Sequence, residues 1–445
     1  VVNPPATTLR ALPSTGAVTG ALEAWAFFRD PTFAQRRFER YGDVFQTRLL
    51  GQPLVFVRGG RAINDLLAQA DATEGWWPES VRQLLGSRSL ANRNGADHRA
   101  RRRVVGQLFS AAALRRYSPQ IVALVEALAT ELREAMAPVP LVERMRRFAF
   151  SVIATVVLGL AGDDRDALFA DFEIWTRALF SVPIALPGSP FARALQARAR
   201  LLTRLRQVLE RARAGAAAGQ PLPGGLDLLS GGLDEAGLPL TDDDLVEQLL
   251  LLLFAGYETT ASSLSCLMAA VLQQPQVLPW LRPELEALPW PPAVAQAVTA
   301  YDDQAAPRLA ALVQEVMRLN PPVGGFFRRT TRPLVLDGVQ VPAGEVVQVA
   351  LAASNRTGTA VADDDLEQFR PERHLEPNGS GLTLLPFGGG ERVCLGKALA
   401  ELEIRLMAVG LLRQLELRLD PPDQDLSQQL VPSPSPRGGL RVRVA

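Results

Sequence analysis

The sequence predicts a mainly α-helical fold with small β-sheets. Three observations carry that prediction. Apolar residues recur at spacings of three and four through 101–114, 121–136 and 195–212. A stretch from Thr241 to about Gln273, apolar nearly all round from Leu249 to Phe254, reads as one long buried helix. Strand-like stretches are confined to 44–57 and 334–350. The chain has 445 residues, 47% hydrophobic and 21% charged, which is enough apolar material for a large core and excludes a disordered chain. At roughly 150 residues per domain, length alone would allow two or three domains.

Taken in order, residues 1–20 are rich in proline, threonine and alanine and read as an extended lead-in. Residues 44–57 (VFQTRLLGQPLVFV) read as two strands around a turn at Gly51-Gln52. Helical periodicity dominates afterwards, up to 214–240, where glycine, alanine and proline mark a loop. Neither side of that loop has its own repeated pattern, so it reads as a surface excursion. Thr241 is placed to cap the long helix, with Asp242, Asp243 and Asp244 suited to its positive end, and Pro275 stops it just beyond Gln273. Some 30 residues at 1.5 Å each give roughly 45 Å, enough to cross a domain. Further helices are expected over 306–319, ended by Asn320-Pro321-Pro322, and over 395–415, with strand-like pieces between them at 334–350.

Composition narrows the function. Lys+Arg and Asp+Glu both number 47, a net charge of zero, which argues against a dedicated binder of nucleic acid or anionic membrane. Lys397 is the one lysine, so nearly all positive charge is arginine, suited to gripping carboxylates with paired bonds. There are two cysteines, Cys266 and Cys394, and two histidines, His98 and His374. A structural zinc site would need essentially all four, and no pair has ligand spacing. A disulfide framework is excluded, which suits a reducing cytoplasm. No run approaches 18 consecutive apolar residues, so no membrane-spanning helix is expected. The first residue is valine, which leaves open the removal of an N-terminal segment.

The chemistry concentrates at residues 387–396, FGGGERVCLG. Glycines let the backbone take positive φ and approach a flat ligand closely. A cysteine at a helix mouth meets backbone N–H groups and the positive dipole end, which favour the thiolate. Arg392 can pair with a carboxylate on the same ligand, and Phe387 can shield the sulfur. A shielded thiolate beneath a glycine-rich turn suits axial ligation of haem iron. A single cysteine is more often inert core, as expected for Cys266 in the long apolar helix. For Cys394 the surrounding string reverses that balance.

These residues carry a resemblance. FGGGERVCLG resembles the haem-binding signature of the cytochromes P-450, the haem-thiolate monooxygenases. In matching order, Glu315-Val316-Met317-Arg318 resembles the family's Glu-x-x-Arg helix, FRPER at 369–373 its downstream arginine segment, and AGYETT at 255–260 its oxygen-activation segment. The likeness covers essentially the whole chain, so a single haem-binding domain over 21–445 is expected. Within the family the chain is most similar to retinoic-acid hydroxylases of cyanobacteria and animals, through Trp77-Pro78, GADHRARRR at 95–103, FSVPIALP at 180–187, PPVGGFFR at 321–328 and VPSPSPRGGLRV at 431–442. His374 departs from the pattern, which has an aromatic residue there.

The resemblance implies haem b with the Cys394 thiolate as axial ligand. It implies that His98, Arg102, Arg328 and Arg392 bind the haem propionates, His98 and Arg102 sharing a helix face at a spacing of four. The neighbouring Arg99, Arg101 and Arg103 are expected on a solvated basic face that could dock an acidic electron donor. Ala255 and Gly256 would leave room beside the cofactor. Thr259 can donate to the carbonyl of Ala255 and bend the helix; the likeness implies that Glu258 and Thr259 deliver protons during oxygen activation. Glu315, Arg318 and Arg373 would form a buried supporting network, the alternative being a surface ion pair worth little. Trp76, Trp77, Phe180, Val182, Ile184, Leu253, Val323, Phe326 and Phe327 are the expected walls of an apolar pocket, some of them ordinary core.

The expected function is insertion of one oxygen atom from O₂ into a lipophilic molecule, a retinoid- or terpenoid-like acid or a fatty acid. No flavin or nicotinamide fingerprint occurs, so electrons are expected from an external ferredoxin and its reductase. The alternatives are a peroxide-driven peroxygenase and a haem-binding gas sensor or carrier without turnover. The expected location is cytoplasmic, with the apolar 180–191 segment able to touch a membrane.

Overall fold

The computed structural model describes residues 9–445 except 17–22, 24–25, 28–29, 31–32, 50–51, 180, 223, 358–365, 377–383 and 431. The chain divides into two compact units, one formed by Val1–Trp76 and Met317–Cys394 and the other by Trp77–Val316 and Leu395–Ala445.

The first unit is built on a five-stranded sheet in the order Val44–Leu49, Gln52–Val57, Val346–Ala350, Gly325–Thr330, Thr73–Gly75. The first two strands form the expected antiparallel hairpin, Val44 opposite Val57 and Leu49 opposite Gln52; of the expected turn, Gly51 lies outside the described residues and Gln52 begins the second strand. Gln52–Val57 runs parallel to Val346–Ala350, and the remaining pairs are antiparallel. Alternation along these strands sorts side chains to two faces. Val44, Val55, Val57, Val347 and Val349 pack with Ile63 and Leu66 of the helix Gly60–Ala68. Phe45 and Phe56, stacked at 5.4 Å, pack with Phe33 and Phe38 of the helix Phe33–Tyr41. The 334–350 region contains the expected strands, Leu334–Leu336 and Val339–Val341 pairing around Asp337 and Gly338, both at positive φ.

The second unit is helical. Its axis is the helix Asp242–Gln273, packed against Leu141–Val156, Pro190–Ala217 and Lys397–Gln414. Thr241 caps it as expected: its hydroxyl oxygen accepts the Asp244 N–H at 3.2 Å, and the Asp244 carboxylate accepts the Thr241 N–H at 3.2 Å. By length and composition alone the helix could span a bilayer. Because 67% of its most apolar window is buried inside the protein, it is a core helix. Cys266 lies in this core at 2% exposure, where burial pushes its thiol up to about 12. A three-stranded sheet of Val139–Pro140, Arg441–Val444 and Leu417–Leu419 closes one side.

Two expected elements differ. The periodic stretch 101–114 is not one helix: Gly95–Gly106 ends, and Ser110 caps a new helix, Ala111–Glu134, by accepting the Ala113 N–H at 3.3 Å. The final helix starts at Lys397, with Gly396 as its cap, two residues later than expected, so Cys394 lies in the turn before it and not directly at its mouth. The loop over 214–240 holds except for the end of Pro190–Ala217 and the short helix Leu226–Ser230.

Candidate functional site

In the first unit, three glycines shape the turn before Cys394, each for its own reason. Gly388 and Gly390 sit at φ 71° and 66°, in the left-handed region where a side chain is strained. Gly389 is extended, but a Cβ there would lie 2.7 Å from Cδ1 of Leu67. The turn closes where the Cys394 N–H donates to the Phe387 carbonyl at 2.8 Å, leaving Cys394 exposed beside a half-buried Phe387.

Two guanidinium groups meet in this unit. Arg328 lies on Gly325–Thr330 with Gly75 as its cross-strand partner. The Arg392 guanidinium lies over Gly75, so closely that a Cβ there would fall 2.3 Å from its Cζ. Arg328 donates to the Phe327 carbonyl at 2.8 Å and lies 4.7 Å from the centre of the Phe326 ring. Burial, with the like charge of Arg392 added, pushes its guanidinium down to about 10. Half-buried like charges brought together in this way are a receptor for carboxylate. An exposed cysteine, a turn stripped of side chains and a paired-arginine anion receptor fit a haem with its propionates.

The Glu-x-x-Arg helix is Pro307–Leu319. Glu315, Arg318 and Arg373 are at most 1% exposed, which rules out a surface ion pair. Arg318 donates to the carbonyls of Asn355 and Leu366 at 3.1 and 2.7 Å, and Arg318 and Arg373 both donate to the Gln368 carbonyl. These guanidiniums tie down the chain at Leu366 and Gln368.

In the second unit, the Thr259 hydroxyl donates to the Ala255 carbonyl at 2.8 Å, the bond expected from sequence, and Ala255 is exposed. Gly256 lets the Leu141–Val156 helix come close: a Cβ there would fall 2.7 Å from Cδ1 of Ile153. From that same helix Arg146 donates to the Glu258 carboxylate at 3.0 Å. Sequence reasoning missed Arg146; the available signal was a carboxylate in an apolar helix, which needs a cationic neighbour. Burial opposes the charge of Arg146, but Glu258 outweighs it and holds the guanidinium above its ordinary value. Burial, reinforced by Glu258, pushes the Tyr257 phenol up.

His98 is buried and Arg102 half-buried on Gly95–Gly106, one turn apart. Arg99 and Arg103 are exposed as expected, whereas Arg101 is not on the solvated face. It is buried at 4% exposure and paired with Asp244 at 3.2 Å and Asp97 at 3.5 Å, because Asp244 at the start of the long helix needs a counter-charge. Of the expected pocket walls, Trp76 and Phe327 meet edge-on at 5.3 Å, Phe326 is half-buried and Val323 is exposed. In the other unit Trp77 is half-buried and Val182 and Ile184 are exposed. Leu253 is fully buried, a core position instead of an open wall. Phe180 lies outside the described residues.

Comparison with known proteins agrees with this chemistry. The family model "Cytochrome P-450" matches residues 29–438. Cytochrome P-450 120 of Synechocystis sp. is 34% identical over 435 residues, spanning 95% of this chain and 94% of that protein. Cytochrome P-450 26B1 of Danio rerio is 33% identical over 428 residues, 94% of this chain and 83% of that protein. Among solved structures, the retinoic acid-bound cyanobacterial CYP120A1 matches with a TM-score of 0.87 and 33% identity, covering 98% of this chain and 99% of that one. The chain therefore belongs to the cytochrome P-450 family, monooxygenases whose haem is held by a cysteine thiolate.

Proposed function

We propose that this protein hydroxylates or epoxidises a retinoid- or terpenoid-like acid, with Cys394 as the axial thiolate and residues 21–445 acting as one haem-bearing domain. The observation that carries the substrate class is the likeness, along nearly the whole chain, to a cyanobacterial relative solved with retinoic acid. Bound haem supplies reductive activation of O₂ and transfer of one oxygen atom to the substrate. The protein's part is to hold, orient and protonate. Arg328 and Arg392 would hold a propionate, whose negative charge would offset the burial and the like charge of Arg392 that push the Arg328 guanidinium down. His98 and Arg102, one turn apart on their helix, would join them in holding the propionates. Gly388 and Gly390 keep the backbone clear of the macrocycle. Thr259 commits its hydroxyl proton to Ala255, which leaves its oxygen free to accept from a bound water or ligand, and Glu258 is the acid that replenishes the relay. Phe326, Phe327, Trp76 and Trp77 supply apolar and aromatic surface for an elongated substrate.

Electrons come from a ferredoxin with its reductase, Arg99 and Arg103 offering exposed positive charge to an acidic donor. The same reading places the protein in the cytoplasm, with Val182, Ile184 and Leu186, all more than half exposed, as the part able to rest on a membrane. The test is a spectral titration of the haem protein with retinoic acid, fatty acids and terpenoids, followed by turnover with reduced ferredoxin or with peroxide. Tight, saturable spin-state shifts by retinoic acid and oxygenated product with ferredoxin are expected. Shifts confined to fatty acids would overturn the substrate class, and turnover with peroxide alone would overturn the electron route.

A further inference from the structure

We propose that Arg146 is a positioning residue for proton delivery, fixing the Glu258 carboxylate beside the Thr259 turn of the long helix. The proposal rests on the reading of Glu258 as the acid. Glu258 and Thr259 are adjacent, so their side chains leave the helix about 100° apart and do not meet by default. A glutamate also has three side-chain torsions and, left alone at the edge of an apolar helix, would spend its time extended toward water. The bond from Arg146 Nη2 to Glu258 Oε1 at 3.0 Å removes that freedom.

The anchor is itself anchored. Arg146 lies on Leu141–Val156, whose Ile153 packs onto Gly256 where the absence of a side chain allows close approach. Phe150 of the same helix meets the Tyr257 ring edge-on at 6.5 Å, and Phe172 meets it at 5.1 Å. Residues 256, 257 and 258 are thus each engaged by a neighbouring helix, the first two by packing and the third by charge. The pair is neither sealed nor free: the Glu258 side chain is 15% exposed and that of Arg146 32%. Water can reach the carboxylate while its position stays defined, which is what a group that relays protons from solvent requires. The charged and titratable groups around the pair are Tyr257 on the long helix and Glu173 and Arg177 beyond it. None of them replaces Arg146 as a donor to the carboxylate at hydrogen-bond distance among the described contacts.

The test uses the haem-loaded enzyme with its electron donor and compares wild type, Arg146→Gln, Arg146→Lys, Glu258→Gln and the double variant Arg146→Gln/Glu258→Gln. Product formed per NADPH consumed and the solvent deuterium isotope effect are read for each, together with the thermal midpoint. Arg146→Gln is expected to lower product per NADPH several-fold and enlarge the isotope effect. Arg146→Lys, which keeps a donor of the same charge, is expected to restore most of both. The double variant is expected to be no worse than Glu258→Gln alone, since Arg146 acts only through the carboxylate, and the losses in midpoint of the two single variants should not add. If Glu258→Gln leaves coupling and isotope effect at wild-type values, the acid assignment falls and the proposal falls with it. If Glu258→Gln uncouples but Arg146→Gln does not, or if the two effects on coupling multiply, the acid stands and the role of Arg146 is overturned.

Discussion

At the scale of single residues, the site depends on groups that are small as much as on groups that react. Gly75 carries no signal in the sequence, yet its missing side chain is the space the Arg392 guanidinium occupies. The clash created by a methyl there falls on the mobile end of an arginine, so Gly75→Ala should displace the guanidinium without unfolding the sheet. We expect it to speed haem loss to a scavenging apoglobin by about tenfold, the equivalent of one charge-assisted bond at about 1.4 kcal/mol. An unchanged rate would mean that Arg392 does not hold a propionate. Thr259→Ala should retain haem but release NADPH consumption from product formation, because the relay loses its oxygen; unchanged coupling would count against its role. The residues legible in the sequence were those whose pattern is local: Cys394 in its glycine string, Thr259 four residues after Ala255, Glu315 three before Arg318. Arg146, Gly75 and the buried state of Arg101 were not legible, because each is defined by a partner far away in sequence. Asp244, for example, is 143 positions beyond Arg101.

At the scale of elements, the long helix was readable from end to end. Its Thr241 cap, three aspartates, apolar body and terminal proline all mark the same boundaries, and the structure places it at Asp242–Gln273. Thr241→Ala should therefore cost about 1 kcal/mol in urea unfolding, through loss of the reciprocal bonds with Asp244. No change in midpoint would show that the cap is redundant with the arginine pairs on Asp244. The break at Ser110 was not readable, since Gly95–Gly106 and Ala111–Glu134 continue one apolar rhythm across a 3-10 turn at Gln107–Phe109. Short strands such as Val139–Pro140 were equally silent: two residues carry no period, and their pairing with Arg441–Val444 joins segments separated by some three hundred positions.

At the scale of the whole molecule, stability carries one unusual charge. Glu403, on the helix Lys397–Gln414, is 1% exposed, and its Oε2 has no hydrogen-bond partner among the described residues. Burial pushes its carboxyl well above the usual range. The fold therefore favours the neutral acid: its contribution is fully present below the unfolded-state value near about 4.3 and is lost as pH rises toward the folded value. Each unit of elevation costs about 1.4 kcal/mol at pH above both values. Glu403→Gln should raise the thermal midpoint at pH 8 and flatten its decline between pH 5 and 8; a parallel, unshifted curve would mean that the carboxyl is solvated or paired in solution.

A single bond, from the Cys394 sulfur to iron, underlies the proposed chemistry. Its most direct test is the absorption spectrum of the reduced protein under carbon monoxide, recorded for freshly purified wild type and for Cys394→Ser. The long-wavelength Soret band of a thiolate-ligated haem is expected in the wild type and should disappear in the variant. A wild-type band at the position of a histidine-ligated globin, or a band that survives the loss of the thiol, would contradict it.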